Sequence, residues 1–124
     1  MDSILTSIKK LLGIAKEDTS FDQDIITHIN SVLMILTQVG VGPSDGFVIE
    51  DESALWSDFT QDYKKLIAIK SYVYLKVRLL FDSTTLSSTV IESINRQIEE
   101  LEWRLNFAVE YAIPSGEEEN QNGV

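Results

Sequence analysis

The chain has 124 residues, 44% of them hydrophobic, and a formal net charge of −10. That apolar content suits one folded domain and excludes wholesale disorder. The acidity disfavours nucleic-acid backbone or anionic lipid as a partner unless the basic residues gather on one face. No cysteine is present, which excludes a disulfide, a thiolate nucleophile and a Cys-based zinc site.

The opening MDSILTSIKK lacks the basic-then-apolar order of a signal peptide, so the chain reads as an intracellular product that stays soluble. Ser3–Leu12 has the pattern of a short amphipathic helix. Ile4, Leu5, Ile8, Leu11 and Leu12 share a face, Lys9 and Lys10 sit near the end, and Gly13 suits the C′ position. Such a helix is too short to be stable alone and must dock, on its own core or on a neighbour.

After a polar connector over Lys16–Ser20, Thr19 and Asp22 have the character of a helix start. A second helix to about Val39 follows, with Ile25, Ile29, Val32, Leu36 and Val39 as its stripe. Gly40, Gly42 and Pro43 stop it. His28, the lone histidine, reads as a solvated helix-face residue with no second ligand type clustered beside it.

Residues 40–62, GVGPSDGFVIEDESALWSDFTQD, carry six acidic residues and no basic one. Phe47–Glu50 fits a short extended segment and Ser53–Phe59 a turn or two of helix with Ser53 as N-cap. A connection this long is usually functional or mobile. Two readings of its aromatics stand open. Trp56 and Phe59 tuck into the core and pin the loop, or the loop is an arm whose Phe47, Ile49, Trp56 and Phe59 anchor in a partner.

Leu66–Phe81, LIAIKSYVYLKVRLLF, is apolar on every face. A strand over Tyr72–Val77 is conceivable on β-branched and aromatic content, but length and the lack of internal Gly or Pro favour helix. The run falls short of the roughly 20 apolar residues of a membrane span and includes Lys70, Lys76 and Arg78. It is expected to be the central, most buried helix, over about 63–81. A capping segment, DSTTLSS, leads to a final helix over about 88–111, for which Thr89 and Glu92 have capping-box spacing. Ile91, Ile94, Ile98, Leu101, Leu105 and Ala108 form its seam, with Trp103 and Phe107 off it. Glu92–Arg96, Arg96–Glu100 and Glu100–Arg104 are opposite charges four apart, and they read as a solvated face. Pro114 ends the helix, and the composition beyond it is that of a flexible acidic tail.

The fold class expected is therefore all-α, a small bundle of four main helices with a long loop between the second and third. A helical domain spans 1–113 and an acidic tail 114–124. No P-loop, G-x-G-x-x-G, H-E-x-x-H, G-x-S-x-G or EF-hand loop occurs. The residues point to no catalytic, cofactor or metal site, and to no enzyme.

Four segments together resemble the head–tail connector, or head-completion adaptor, family of tailed bacteriophages and related prophages. They are IKKLLGIAKEDTSFD, VGVGPSDGF with ALWSDF, KSYVYLKVRLLFD, and SSTVIESINRQIEELEWRLN. The resemblance covers residues 1–110. It implies a ring of copies, usually a dodecamer, seated beneath the portal in the neck of the virion after assembly in the host cytoplasm. Such a ring extends the channel, supports the stopper or tail, and lets DNA pass without specific binding; no membrane is involved. Partner-binding residues expected on this basis are Phe47, Ile49, Glu50, Asp51, Glu52, Trp56, Phe59, Arg96 and Arg104. The competing class is a small helical regulator or DNA-packaging recognition subunit, which should show a basic face with a helix-turn-helix. Here the basic concentration, Lys64–Arg78, lies on the most apolar helix.

Overall fold

The computed structural model describes residues 2–105 and is helical. The elements are α1 (Ile4–Leu11), α2 (Asp22–Gln38), the single turn α3 (Trp56–Phe59), α4 (Tyr63–Phe81) and α5 (Ser88–Arg104). The four expected main helices are present, with the long loop between the second and third. The expected continuation of the last helix to 111 and the acidic tail lie outside the described residues.

The ends of α1 and α2 follow from glycine. Gly13 has φ +82°, Gly13 N–H donates to Lys10 O, and Ile14 N–H donates to Lys9 O at 2.9 Å. At the end of α2, Gly40 (φ +91°) donates to Thr37 O and Val41 N–H reaches Leu36 O at 2.8 Å. Both are Schellman closures, in which a residue without Cβ takes the left-handed conformation and the last carbonyls are satisfied.

Three expected capping residues move, although α5 begins at Ser88 as expected. Phe21, not Thr19, occupies the N-cap of α2, with no side-chain cap there. Leu55, not Ser53, precedes α3, and Asp58 Oδ2 accepts the Leu55 N–H at 2.9 Å. The Ser87 hydroxyl, not Thr89, caps α5 by accepting the Val90 N–H at 3.2 Å. Leu55 and Ser87 leave extended backbone just before the first turn, whereas Phe21 (φ −108°, ψ 4°) does not. The expected extended segment at Phe47–Glu50 forms no strand; the extended pairing is instead a single antiparallel bridge between Ser3 and Leu55.

α4 packs against α1, α2 and α5, as its central position in the sequence pattern predicts. Ile69, Tyr72, Val73 and Val77 are fully covered. It is not the most buried helix, however. α2 buries six residues and the longer α4 five, because α4 keeps one side uncovered. Tyr63 is 69% and Ile67 75% exposed. The opposite charges spaced four apart along α5 stand exposed as the expected solvated face and form no ion pair with one another. Among the described residues the ion pairs are Lys9–Asp22 (2.8 Å) and Lys70–Asp2 (3.3 Å), consistent with the small gain from exposed pairs on a helix.

Candidate subunit-contact surfaces

The loop over 40–55 is held to the body from three directions. The Asn30 carboxamide, on α2, accepts the Ile49 N–H at 2.8 Å and donates to Ile49 O at 3.0 Å. Trp56 is 1% exposed, and its indole N–H donates to Ser7 Oγ on α1 at 2.8 Å. Phe59, 2% exposed, packs edge-on against Phe47 with ring centroids 5.4 Å apart.

Of the sequence-predicted contact residues, Ile49, Trp56 and Phe59 thus belong to the subunit's own core, and Phe47 is half-buried against it. The reading in which these aromatics pin the loop describes the structure; an aromatic arm directed outward does not. Burial of their large apolar areas within the chain, with the Trp56 N–H satisfied, is the physical reason.

The charged candidates are different. Glu50, Asp51 and Glu52 are exposed and rim a groove of about 470 Å³ whose apolar floor is Leu5 and Ile26. Asp51 Oδ1 accepts the Ser53 N–H at 2.8 Å and also the Ser53 hydroxyl. The Ser53 hydroxyl, then the Ser53 backbone N–H, hold its carboxyl below the usual carboxylate range. Arg96 and Arg104 are exposed on α5, where they border a cleft with Trp103, Glu99 and Glu100. Trp103 is 71% exposed. The acidic rim and the arginines are not one site: α5 packs against α4, whereas the rim lies against α1 and α2.

Two surface features were missed by sequence reasoning. One is the uncovered side of α4, where Tyr63 and Ile67 stand beside the exposed Lys64 and Lys65. The second is an apolar pair, Met34 on α2 (55% exposed) and Val48 on the loop after it (66% exposed), which line a groove with Asp45. The sign of the first was in the sequence: a helix apolar all round needs covering on every side, and one domain of this size covers three.

Among the described residues no group of three or more His, Asp or Glu is gathered as for a metal ion, and no helix is long and apolar enough to cross a membrane. Fold and surface together define a small all-α domain with exposed apolar and charged faces. A family model described as phage connector protein matches residues 4–112, and the chain belongs to that family. No curated protein and no solved structure matches it.

Proposed function

We propose that this chain is a head–tail connector (adaptor) that forms a ring beneath the portal, extends the DNA channel and supports the stopper or tail. The observation that carries the reading is the family match over residues 4–112, which spans all five helices. Membership makes the chain a phage structural component; the ring, the portal and the stopper are the proposal. Glu50, Asp51, Glu52, Arg96 and Arg104, all exposed, are the residues offered to these partners. A formal net charge of −10 suits a channel through which DNA must slide, because like charges keep the phosphate backbone from adhering.

Electron microscopy of DNA-filled heads, with and without the purified protein, tests the reading. A ring of density beneath the portal, required for tail attachment, is the expected result. Heads that accept tails equally well without the protein, and show no added density with it, overturn the proposal.

A further inference from the structure

The uncovered side of α4 is a linear feature. Tyr63, Ile67, Tyr74 and Arg78 follow one line of the helix, at spacings of four, seven and four. Tyr63 and Ile67 are 69% and 75% exposed, whereas farther along Tyr74 packs in part against the core and Arg78 is half-covered. Lys64 and Lys65 flank its start, and neither forms an ion pair among the described residues.

A second face has the opposite character. Met34 and Val48 stand exposed, with Asp45, Glu50, Asp51 and Glu52 exposed along the same loop. Residues 40–62 carry no cation that could neutralise these carboxylates. Of the lysines that precede α2, Lys9 is buried and paired with Asp22, while Lys10 and Lys16 are exposed. Each face thus combines exposed apolar side chains with unpaired charge, and the charges are of opposite sign.

Copies of a chain with net charge −10 repel one another at long range. Encounter is favoured where unpaired cations of one copy meet the acidic surface of another. A contact of the α4 line on itself sets lysines near lysines, and the acidic face on itself sets carboxylates near carboxylates. We infer that the Tyr63–Ile67 line of α4, with Lys64 and Lys65, docks head-to-tail on the Met34–Val48 face of a second copy. Ile67 and Tyr63 then meet Met34 and Val48, and the lysines meet Asp45 and Glu50–Glu52. Such unlike faces generate a ring or a filament instead of a closed dimer. The inference rests on the ring reading above and names the faces that ring uses. Apolar contact supplies the affinity, and charge sets register and encounter rate.

Because the chain has no cysteine, pairing can be read by cross-linking. Ile67→Cys and Val48→Cys, both at exposed positions, are made separately, one is mass-tagged, and equal amounts are mixed and oxidised. The expected yield is about tenfold more 67–48 heterodimer than either homodimer, against about twofold from random collision. A chain carrying both cysteines should give a ladder of covalent multimers. Glu50→Lys, Asp51→Lys and Glu52→Lys together should abolish the excess, and Lys64→Glu with Lys65→Glu on the other partner should restore it. Random-collision proportions, or a doubly substituted chain that stops at dimers, overturn the inference. If Ile67→Asp blocks attachment to heads while the 67–48 cross-link stays at random proportions, another neck protein covers this line and the inference fails. In that case the connector role itself still stands, since head attachment is scored separately.

Discussion

The side chain of Asn30 and the backbone of Ile49 form a closed pair of hydrogen bonds, 2.8 Å from Ile49 N–H to Oδ1 and 3.0 Å from Nδ2 to Ile49 O. Nineteen residues apart in sequence, they meet because α2 offers a carboxamide where a neighbouring strand would otherwise satisfy an extended segment. Ile49 is 2% exposed, so without that partner both of its backbone groups are left without the bonds that permit burial.

Asn30→Ala should therefore destabilise the fold by about 1–3 kcal/mol, the range for stranding buried polar groups. Asn30→Asp keeps an acceptor for Ile49 N–H but sets carboxylate against the Ile49 carbonyl, and should not restore stability. Denaturant unfolding gives the energies, and hydrogen exchange at 47–53 gives the location. Unchanged exchange in Asn30→Ala would mean that Trp56 and Phe59 suffice to hold the loop.

Lys9 is the one buried charged residue among those described, 3% exposed. Its Nζ reaches Asp22 Oδ1 at 2.8 Å and Lys16 O at 3.1 Å, tying α1 to the start of α2. Replacing one member of a buried pair strands the other, so Lys9→Met should cost about 3 kcal/mol. Adding Asp22→Asn removes the stranded charge and should recover most of that loss. A double variant no more stable than Lys9→Met would show that Lys9 acts through the Lys16 carbonyl alone.

Gly42 and Gly46 share a left-handed backbone, φ +91° and +93°, but differ in surroundings. A Cβ on Gly42 would lie 2.5 Å from Phe59 Cζ, whereas one on Gly46 meets nothing within 4 Å. Gly46→Ala should cost about 1–2 kcal/mol, from the left-handed conformation alone. Gly42→Ala should cost about 1–3 kcal/mol more, because the Phe59 ring must shift within a packed core. Equal losses would mean that Phe59 moves freely and that Gly42 serves only the turn.

These three cases mark what the sequence discloses. The ends of α1 and α2 were legible because Gly13 and Gly40 state a conformational need at a definite place. The capping residues were not, because Thr19, Ser53 and Thr89 each stood near residues equally able to precede a helix. Asn30 was invisible: a polar residue on an amphipathic helix looks solvated until its partner is brought beside it. The charges at Glu50–Glu52, Arg96 and Arg104 were correctly placed at the surface, since no local partner could repay their burial. Trp56 and Phe59 carried no such signal, and tertiary packing alone decided their direction.

Asp51 supplies a test of the acidic rim. Its carboxylate accepts from the Ser53 hydroxyl and backbone N–H, and both bonds favour the ionised form, lowering its pKa below the ordinary value of 3.8. A lowered folded-state pKa contributes stability that is present above the unfolded-state pKa and lost as pH falls through the folded-state value. That window lies below about pH 4. Carboxyl-resolved NMR titration should show Asp51 ionised at lower pH than in Ser53→Ala, where the midpoint rises. Identical midpoints would show that the loop does not hold this turn in solution.

The two tryptophans should separate fold from surface. Trp56 is 1% exposed and bonded to Ser7, with Lys70 Nζ 5.9 Å from its ring centroid; Trp103 is 71% exposed beside Arg96 and Arg104. Trp56→Ala removes a large core side chain and should cost about 3–5 kcal/mol. Trp103→Ala leaves the described packing intact and should change stability by less than about 0.5 kcal/mol. With Trp103→Phe, the remaining Trp56 emission should be blue-shifted and resist acrylamide; with Trp56→Phe, Trp103 should emit to the red and quench readily. Tryptophan flanked by arginine is the composition that concentrates binding energy at interfaces. Head attachment should therefore shift the Trp103 emission to the blue if this end of α5 meets the neck. If Trp103 stays quenchable on fully assembled particles, the α5 cleft faces solvent and takes no part in attachment.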